Sequence, residues 1–151
     1  MSRPEKLTLA QQQYVETIAD LIRERGEART TDLAERLDVS LPSASQAVGR
    51  LIDMGLARRK SWHEIILTAQ GRAISRQLGR RHQVFRRFLT RVLRMSAKAA
   101  DANACRIEHC IDPGLADRLG SFADFFEREL PAGAKARWLQ KIGDAGERRG
   151  T

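Results

Sequence analysis

The chain has 151 residues, 42% of them apolar and 30% charged, with 27 Lys and Arg against 19 Asp and Glu. That length suits one domain or two small ones, and the apolar share excludes wholesale disorder. No apolar run approaches the ~18–20 residues of a membrane span, and Met1-Ser2-Arg3-Pro4-Glu5 lacks a signal-peptide core. The expectation is therefore a cytoplasmic protein, neither membrane-bound nor secreted. Cys105 and Cys110 are too few for a disulfide scaffold and suit a reducing compartment. A net charge of +8 points to a polyanionic partner, nucleic acid first. Residues 1–76 carry 12 basic and 10 acidic side chains and residues 77–151 carry 15 and 9, so charge alone does not locate that partner's site.

In chain order, Tyr14, Ile18, Leu21 and Ile22 recur at helical spacing, which predicts an amphipathic helix from Thr8 to Arg25 ended by Gly26. Thr30 reads as the N-cap of a short helix with Leu33, Ala34 and Leu37 facing inward. A tight turn at 38–41 leads to Pro42, which tolerates the missing N–H of a first helical turn. The helix from Pro42 to Ile52 buries Ala44, Val48, Leu51 and Ile52, and Gly55 stops it. Two short helices joined by such a turn form a helix-turn-helix unit. The outer face of its second helix is small and polar: Ser43, Ser45, Gln46 and Arg50. Residues 56–67 read as two strands around a polar tip, a β-wing whose Arg58-Arg59-Lys60 run suits phosphate contact.

Thr68 opens a long helix expected to reach Leu93, and a shorter one spans Ala97 to Cys110. A third runs from Gly114 to Glu129 with Leu115, Leu119, Phe122, Phe125 and Phe126 in its stripe. Beyond Pro131 only Ala136–Ile142 looks helical, ahead of a Gly/Arg-rich tail expected to fray. The expected architecture is mainly α: a winged helix-turn-helix domain over 1–72, an all-helical dimerisation and metal-binding domain over 73–130, and a partly flexible extension over 131–151. The phenylalanines exceed what one small helical unit can hide, so a homodimer is expected, with reading helices roughly 34 Å apart.

Cys105, Glu108 and His109 fall at i, i+3 and i+4 of one predicted helix and so share a face. Thiolate, carboxylate and imidazole are all ligands for first-row metals. His82 lies inward on the preceding helix, within reach in an antiparallel arrangement, and Glu16 follows Gln13 by one turn on the first helix. Cys110, about 140° round the helix from Cys105, is expected to pack in the core, and His63 near the wing tip stands outside the set. A Cys–His nucleophile would need an oxyanion loop or glycine-rich turn, which the sequence does not offer, so an enzyme is not expected.

The chain resembles the DtxR/MntR family of metal-dependent transcriptional repressors over about residues 7–128. The matching segments are Gln13-Tyr14-Val15-Glu16, residues 31–37, residues 39–45, Leu67-Thr68-Ala69-Gln70-Gly71, Arg81-His82 and, most specifically, residues 104–109. The resemblance implies the short form of the family, without its extra C-terminal domain. It maps the metal ligands onto Gln13, Glu16, His82, Cys105, Glu108 and His109, and places Ser40, Pro42, Ser43 and Gln46 against the duplex. Gln13 and Cys105 stand where manganese-type members have carboxylates, and iron-type members share the cysteine. Arg86 stands in a carboxylate's place and Asp101 in a histidine's at the iron-type ancillary site, so the resemblance does not imply a full set of two ions per subunit. A thiolate and an amide in place of two anionic oxygens favour Fe²⁺ slightly over Mn²⁺. The expected function is a metal-responsive repressor of metal-uptake genes that binds operator DNA as a homodimer. The alternative is a winged-helix regulator that senses thiol oxidation at Cys105 or a small organic ligand.

Overall fold

The computed structural model describes residues 7–147, so the expectations about Met1–Glu5 and about the last tail residues, 148–151, lie outside the described residues. The chain divides into two compact units between Gly79 and Arg80.

The first unit opens with α1 (Leu9–Arg25), started by a reciprocal cap. The backbone N–H of Gln11 donates to Thr8 Oγ1 at 3.2 Å, and that of Thr8 donates to Gln11 Oε1 at 2.8 Å. Gly26 ends it in a left-handed conformation (φ +81°), and its N–H donates to the Ile22 carbonyl at 2.9 Å. Two residues, Ala28–Arg29, then form β1. Next come α2 (Thr30–Arg36), α3 (Leu41–Asp53) and the hairpin of β2 (Ala57–Arg59) and β3 (Glu64–Leu67). The antiparallel sheet has the order β1-β3-β2, with Ala28 opposite Ile65 and Ala57 opposite Leu67.

Strand β1 is absent from the sequence reading because two residues carry no periodicity; its pairing with β3 alone defines it. It also displaces a cap. Thr30 is the first helical residue of α2, and the N-cap falls on Arg29, whose side chain makes no cap bond. The sheet supplies the extended backbone that a capping Thr would otherwise hold. In α3 the N-cap is Ser40, one residue before the helix, with Pro42 in the first turn. The core joins Val15, Ile18 and Leu21 of α1, Leu33 of α2, Ala44, Val48 and Leu51 of α3, and Ile65 and Leu67 of β3. Each fully buried large aliphatic contributes about 1.5–3 kcal/mol.

The turn after β3 shows why Thr68-Ala69-Gln70-Gly71 has the form it does. Thr68 donates its hydroxyl to the Gly55 carbonyl at 2.7 Å and its backbone N–H to the Leu56 carbonyl at 3.0 Å, and accepts from the Gly71 N–H at 3.1 Å. A Cβ on Gly71 would sit 2.0 Å from the Leu56 carbonyl oxygen, so no other residue fits there without backbone movement.

Helix α4 (Ala69–Arg91) begins in the first unit and continues into the second, where α5 (Ala97–Ile107), α6 (Pro113–Arg128) and α7 (Ala132–Glu147) follow. Ser96 and Asp112 cap α5 and α6. The stripe predicted on α6 is only partly inward. Phe126 is buried in one cluster with Ala123, and Ala116 in another, while Leu115, Phe122 and Phe125 are 45%, 48% and 44% exposed. The helix presents its small residues inward: a Cβ on Gly120 would meet Val84 of α4 at 3.5 Å, and Arg87 of α4 donates to the Gly120 carbonyl at 3.1 Å. Close approach on that side turns the larger side chains outward. Helix α7 is also longer than expected. Trp138 Nε1 donates to the Val92 carbonyl and Lys135 Nζ to the Glu127 carbonyl, both at 2.7 Å, and these tertiary bonds hold a segment of weak local preference.

Candidate metal centre and nucleic-acid interface

In the second unit, His82, Glu108 and His109 come together. His82 lies on the part of α4 beyond Gly79. Glu108 and His109 lie just past the end of α5 rather than inside it. Helix α5 ends at Ile107, Glu108 is the C-cap, whose N–H still donates to the Ala104 carbonyl at 3.0 Å, and the Cys110 N–H closes a turn onto the Ile107 carbonyl at 2.9 Å. The predicted helix to Cys110 is three residues too long because Asp112-Pro113 must start α6.

His82 Nδ1 is 2.7 Å from Glu108 Oε2, and His109 Nε2 is 3.4 Å from Glu108 Oε1. The other face of the His82 ring reaches a carboxylate as well, with Nε2 3.0 Å from Asp101 Oδ1. Arg86 Nε lies 3.5 Å from the same Asp101 oxygen. Burial opposes a charge on His82, but its bonds to Asp101 and Glu108 and their negative charges outweigh that, and its pKa rises. Glu108 is also raised, because burial of its carboxylate exceeds the attraction of His82. His109 is lowered by burial and then by the nearby positive charges of Arg81 and His82. A nearly buried carboxylate between two imidazoles is a donor set that fits a first-row divalent ion, whose charge would offset the desolvation of Glu108.

Cys105 and Cys110 are both solvent-exposed, so the expected core role of Cys110 is wrong: it sits in the turn after α5, where no core lies above it. Asp101 is the residue whose part in this cluster the sequence analysis missed. It lies one turn before Cys105 on α5, and i, i+4 spacing was the available signal. In the first unit, Gln13 is exposed on α1, and its carbonyl accepts from Thr17 Oγ1 at 2.8 Å. Glu16 follows one turn later and is half-buried.

The candidate nucleic-acid interface is also in the first unit. Ser40, Pro42, Ser43, Ser45, Gln46 and Arg50 are all exposed at or along α3, and Arg58, Arg59 and Lys60 are exposed on the wing. Ser40 is committed to the helix start: its Oγ accepts from the Ser43 N–H at 3.3 Å and lies 2.8 Å from Ser43 Oγ. That bond orients the N-terminus of α3, whose free N–H groups suit a phosphate.

Two family models match the chain. Residues 6–61 match the N-terminal DNA binding domain of iron dependent repressors, and residues 68–135 match their metal binding and dimerisation domain. The transcriptional regulator MntR of Escherichia coli O6:H1 is 40% identical over 109 residues, covering 72% of this chain and 70% of that protein. The HTH-type transcriptional regulator MntR of Geobacillus kaustophilus is 30% identical over 140 residues, covering 93% and 99%. Among solved structures, a manganese-dependent transcriptional repressor in complex with manganese aligns with a TM-score of 0.66 at 27% identity, covering 76% of this chain and 53% of that one. The manganese regulator SloR aligns with a TM-score of 0.66 at 24% identity, covering 79% and 55%. The chain thus spans about half the length of these solved structures.

Proposed function

The chain belongs to the DtxR/MntR family of metal-dependent transcriptional repressors, and from that premise we propose that one divalent cation, held by Gln13, Glu16, His82, Cys105, Glu108 and His109, favours operator binding and represses metal-uptake genes. The observation that carries the metal half of this reading is the buried Glu108 carboxylate with a histidine nitrogen 2.7 Å away on one side and another 3.4 Å away on the other. When bound, the cation supplies positive charge and coordination bonds that fix these donors relative to one another. Glu108 and His109 are held by the turn after α5, and Asp101 orients the His82 ring. Glu16 and Gln13 lie one turn apart on α1, and α1 shares its core with α3. Fixing those two side chains therefore restrains the reading helix, so less ordering entropy is lost on DNA. By linkage, DNA tightens metal binding by the same factor.

Gln46 supplies an amide for an adenine edge or a phosphate, the exposed serines and Arg50 reach phosphates, and Arg58, Arg59 and Lys60 add charge from the wing. The small side chains of α3 leave DNA shape a share of the specificity. The exposed Leu115, Phe122 and Phe125 on α6 offer an apolar face for a second copy of the chain. The slight preference for Fe²⁺ rested on the Cys105 thiolate and the Gln13 amide and gains no support from the relatives: solved structures such as the regulator SloR carry manganese in their descriptions, and the MntR names point the same way. Mn²⁺ is accordingly placed ahead of Fe²⁺.

The test is an anaerobic titration of Mn²⁺ and Fe²⁺ into wild type and His109→Ala, read by anisotropy of a labelled duplex. Metal should tighten wild-type binding and not that of the variant; a metal-independent wild-type isotherm overturns the reading. The comparisons lend nothing to the thiol-oxidation or organic-ligand alternative, which predicts a response to oxidant and indifference to chelators.

A further inference from the structure

The wing tip holds a feature that the metal switch does not use. Trp62 is 86% exposed at the turn between β2 and β3, the most exposed of the large apolar side chains among the described residues. Its loop is braced rather than slack. The Lys60 N–H donates to the Glu64 carbonyl at 2.9 Å, Lys60 Nζ pairs with Glu64 Oε1 at 2.9 Å, and the Glu64 N–H donates to Ser61 Oγ at 3.3 Å. These three bonds close the base of the tip and leave the indole projecting. Arg58, Arg59 and Lys60 come just before it, separated from it by Ser61, and all three are exposed. An indole held out in water beside a basic run, on the wing of a DNA binding domain whose exposed helix α3 lies in the same unit, favours a negatively charged polymer with apolar sugar and base faces between its phosphates.

We propose that Trp62 is a DNA-contacting residue, seated against the sugar and base edges of a groove while Arg58, Arg59 and Lys60 hold the flanking phosphates. Apolar side chains at such positions act as wedges, and the area an indole buries is sequence-tolerant. The role of Trp62 is to set the depth and angle of the wing, which the point charges of the cations cannot do. This rests on the DNA-binding reading of the fold.

The test uses the full chain with Mn²⁺ and a labelled duplex of about 30 bp, three helical turns, at low salt, where binding does not require a known operator. In Trp138→Phe, Trp62 is the sole tryptophan, and its emission should shift to the blue and be quenched as duplex is added, reversing at high salt. Trp62→Ala should bind about tenfold more weakly, with an unchanged slope of log affinity against log salt because no charge is lost. Arg59→Ala should lower that slope by about one. Wild-type affinity in Trp62→Ala, or unmoved Trp62 emission at saturating duplex, overturns the inference. Should Trp138→Phe fail to fold, the difference in emission between wild type and Trp62→Phe provides the same signal. Absence of any duplex binding in wild type instead removes the DNA reading of the whole fold, and this inference with it.

Discussion

Glu108 places Oε2 2.7 Å from Nδ1 of His82, with only 4% of its side chain exposed. A carboxylate so buried is costly when ionised, and the neighbouring imidazole offsets only part of that cost, as its raised pKa shows. The charge is therefore kept for something other than the stability of the metal-free fold.

That relationship predicts the behaviour of Glu108→Gln. The amide keeps the shape and a hydrogen bond to His82 but removes the buried charge. The metal-free variant should melt no lower than wild type at neutral pH. Its Mn²⁺ affinity, measured by calorimetry, should fall by more than the 10–100-fold typical of groups that only orient ligands. A lower melting temperature with intact metal affinity would make Glu108 a structural residue.

The two histidines separate by pH. The His82 pKa is raised above 6.5, so its contribution to stability is complete below pH 6.5 and lost as pH rises through the folded value. The His109 pKa is lowered below 6.5, so its effect lies below that pH, where stability falls as the solution is acidified. The raised value of Glu108 also makes stability decline with rising pH, starting from 4.5. Above pH 6.5, metal-free wild type should therefore lose stability with rising pH more steeply than His82→Gln. Thermal melts at closely spaced pH values, with chelator present, provide the measurement. Adding metal should reverse the trend, since coordination competes with protons.

Cys105 is exposed one turn before Glu108, so its thiolate should tune metal choice more than it anchors the ion. Cys105→Ser replaces a soft donor with a hard one. The ratio of Co²⁺ to Mn²⁺ affinity should drop about tenfold, mostly through weaker Co²⁺ binding. An unchanged ratio would take the thiol out of the ligand set.

Gly71 tests the junction that follows the wing. The alanine Cβ would fall 2.0 Å from the Leu56 carbonyl oxygen, inside a turn fixed by three Thr68 bonds. Gly71→Ala should cost about 1–3 kcal/mol in denaturant unfolding. Gly79→Ala, where the added atom meets nothing within 4 Å, should be neutral or stabilising by comparison.

The sequence by itself determined the winged helix-turn-helix, because its signals are local. Helical periodicity marks α1 and α3, Gly26 and Gly55 carry the positive φ values that end them, and Pro42 marks the start of the reading helix. It also singled out Gln13, Glu16, His82, Cys105, Glu108 and His109 as candidate ligands, because these side chains are chemically distinctive; the fold brings His82, Glu108 and His109 together. Tertiary structure decided what depends on partners distant in sequence. Strand β1 exists only through β3, α7 is held by a bond from Trp138 to Val92, and α6 turns Phe122 and Phe125 outward, but not Phe126, because its small residues take the inward side. Asp101 likewise gained its role only when α4 and α5 brought it to the far nitrogen of His82. Propensity and spacing act over a few residues of backbone, whereas close approach and hydrogen-bond partnership are settled by which surfaces meet.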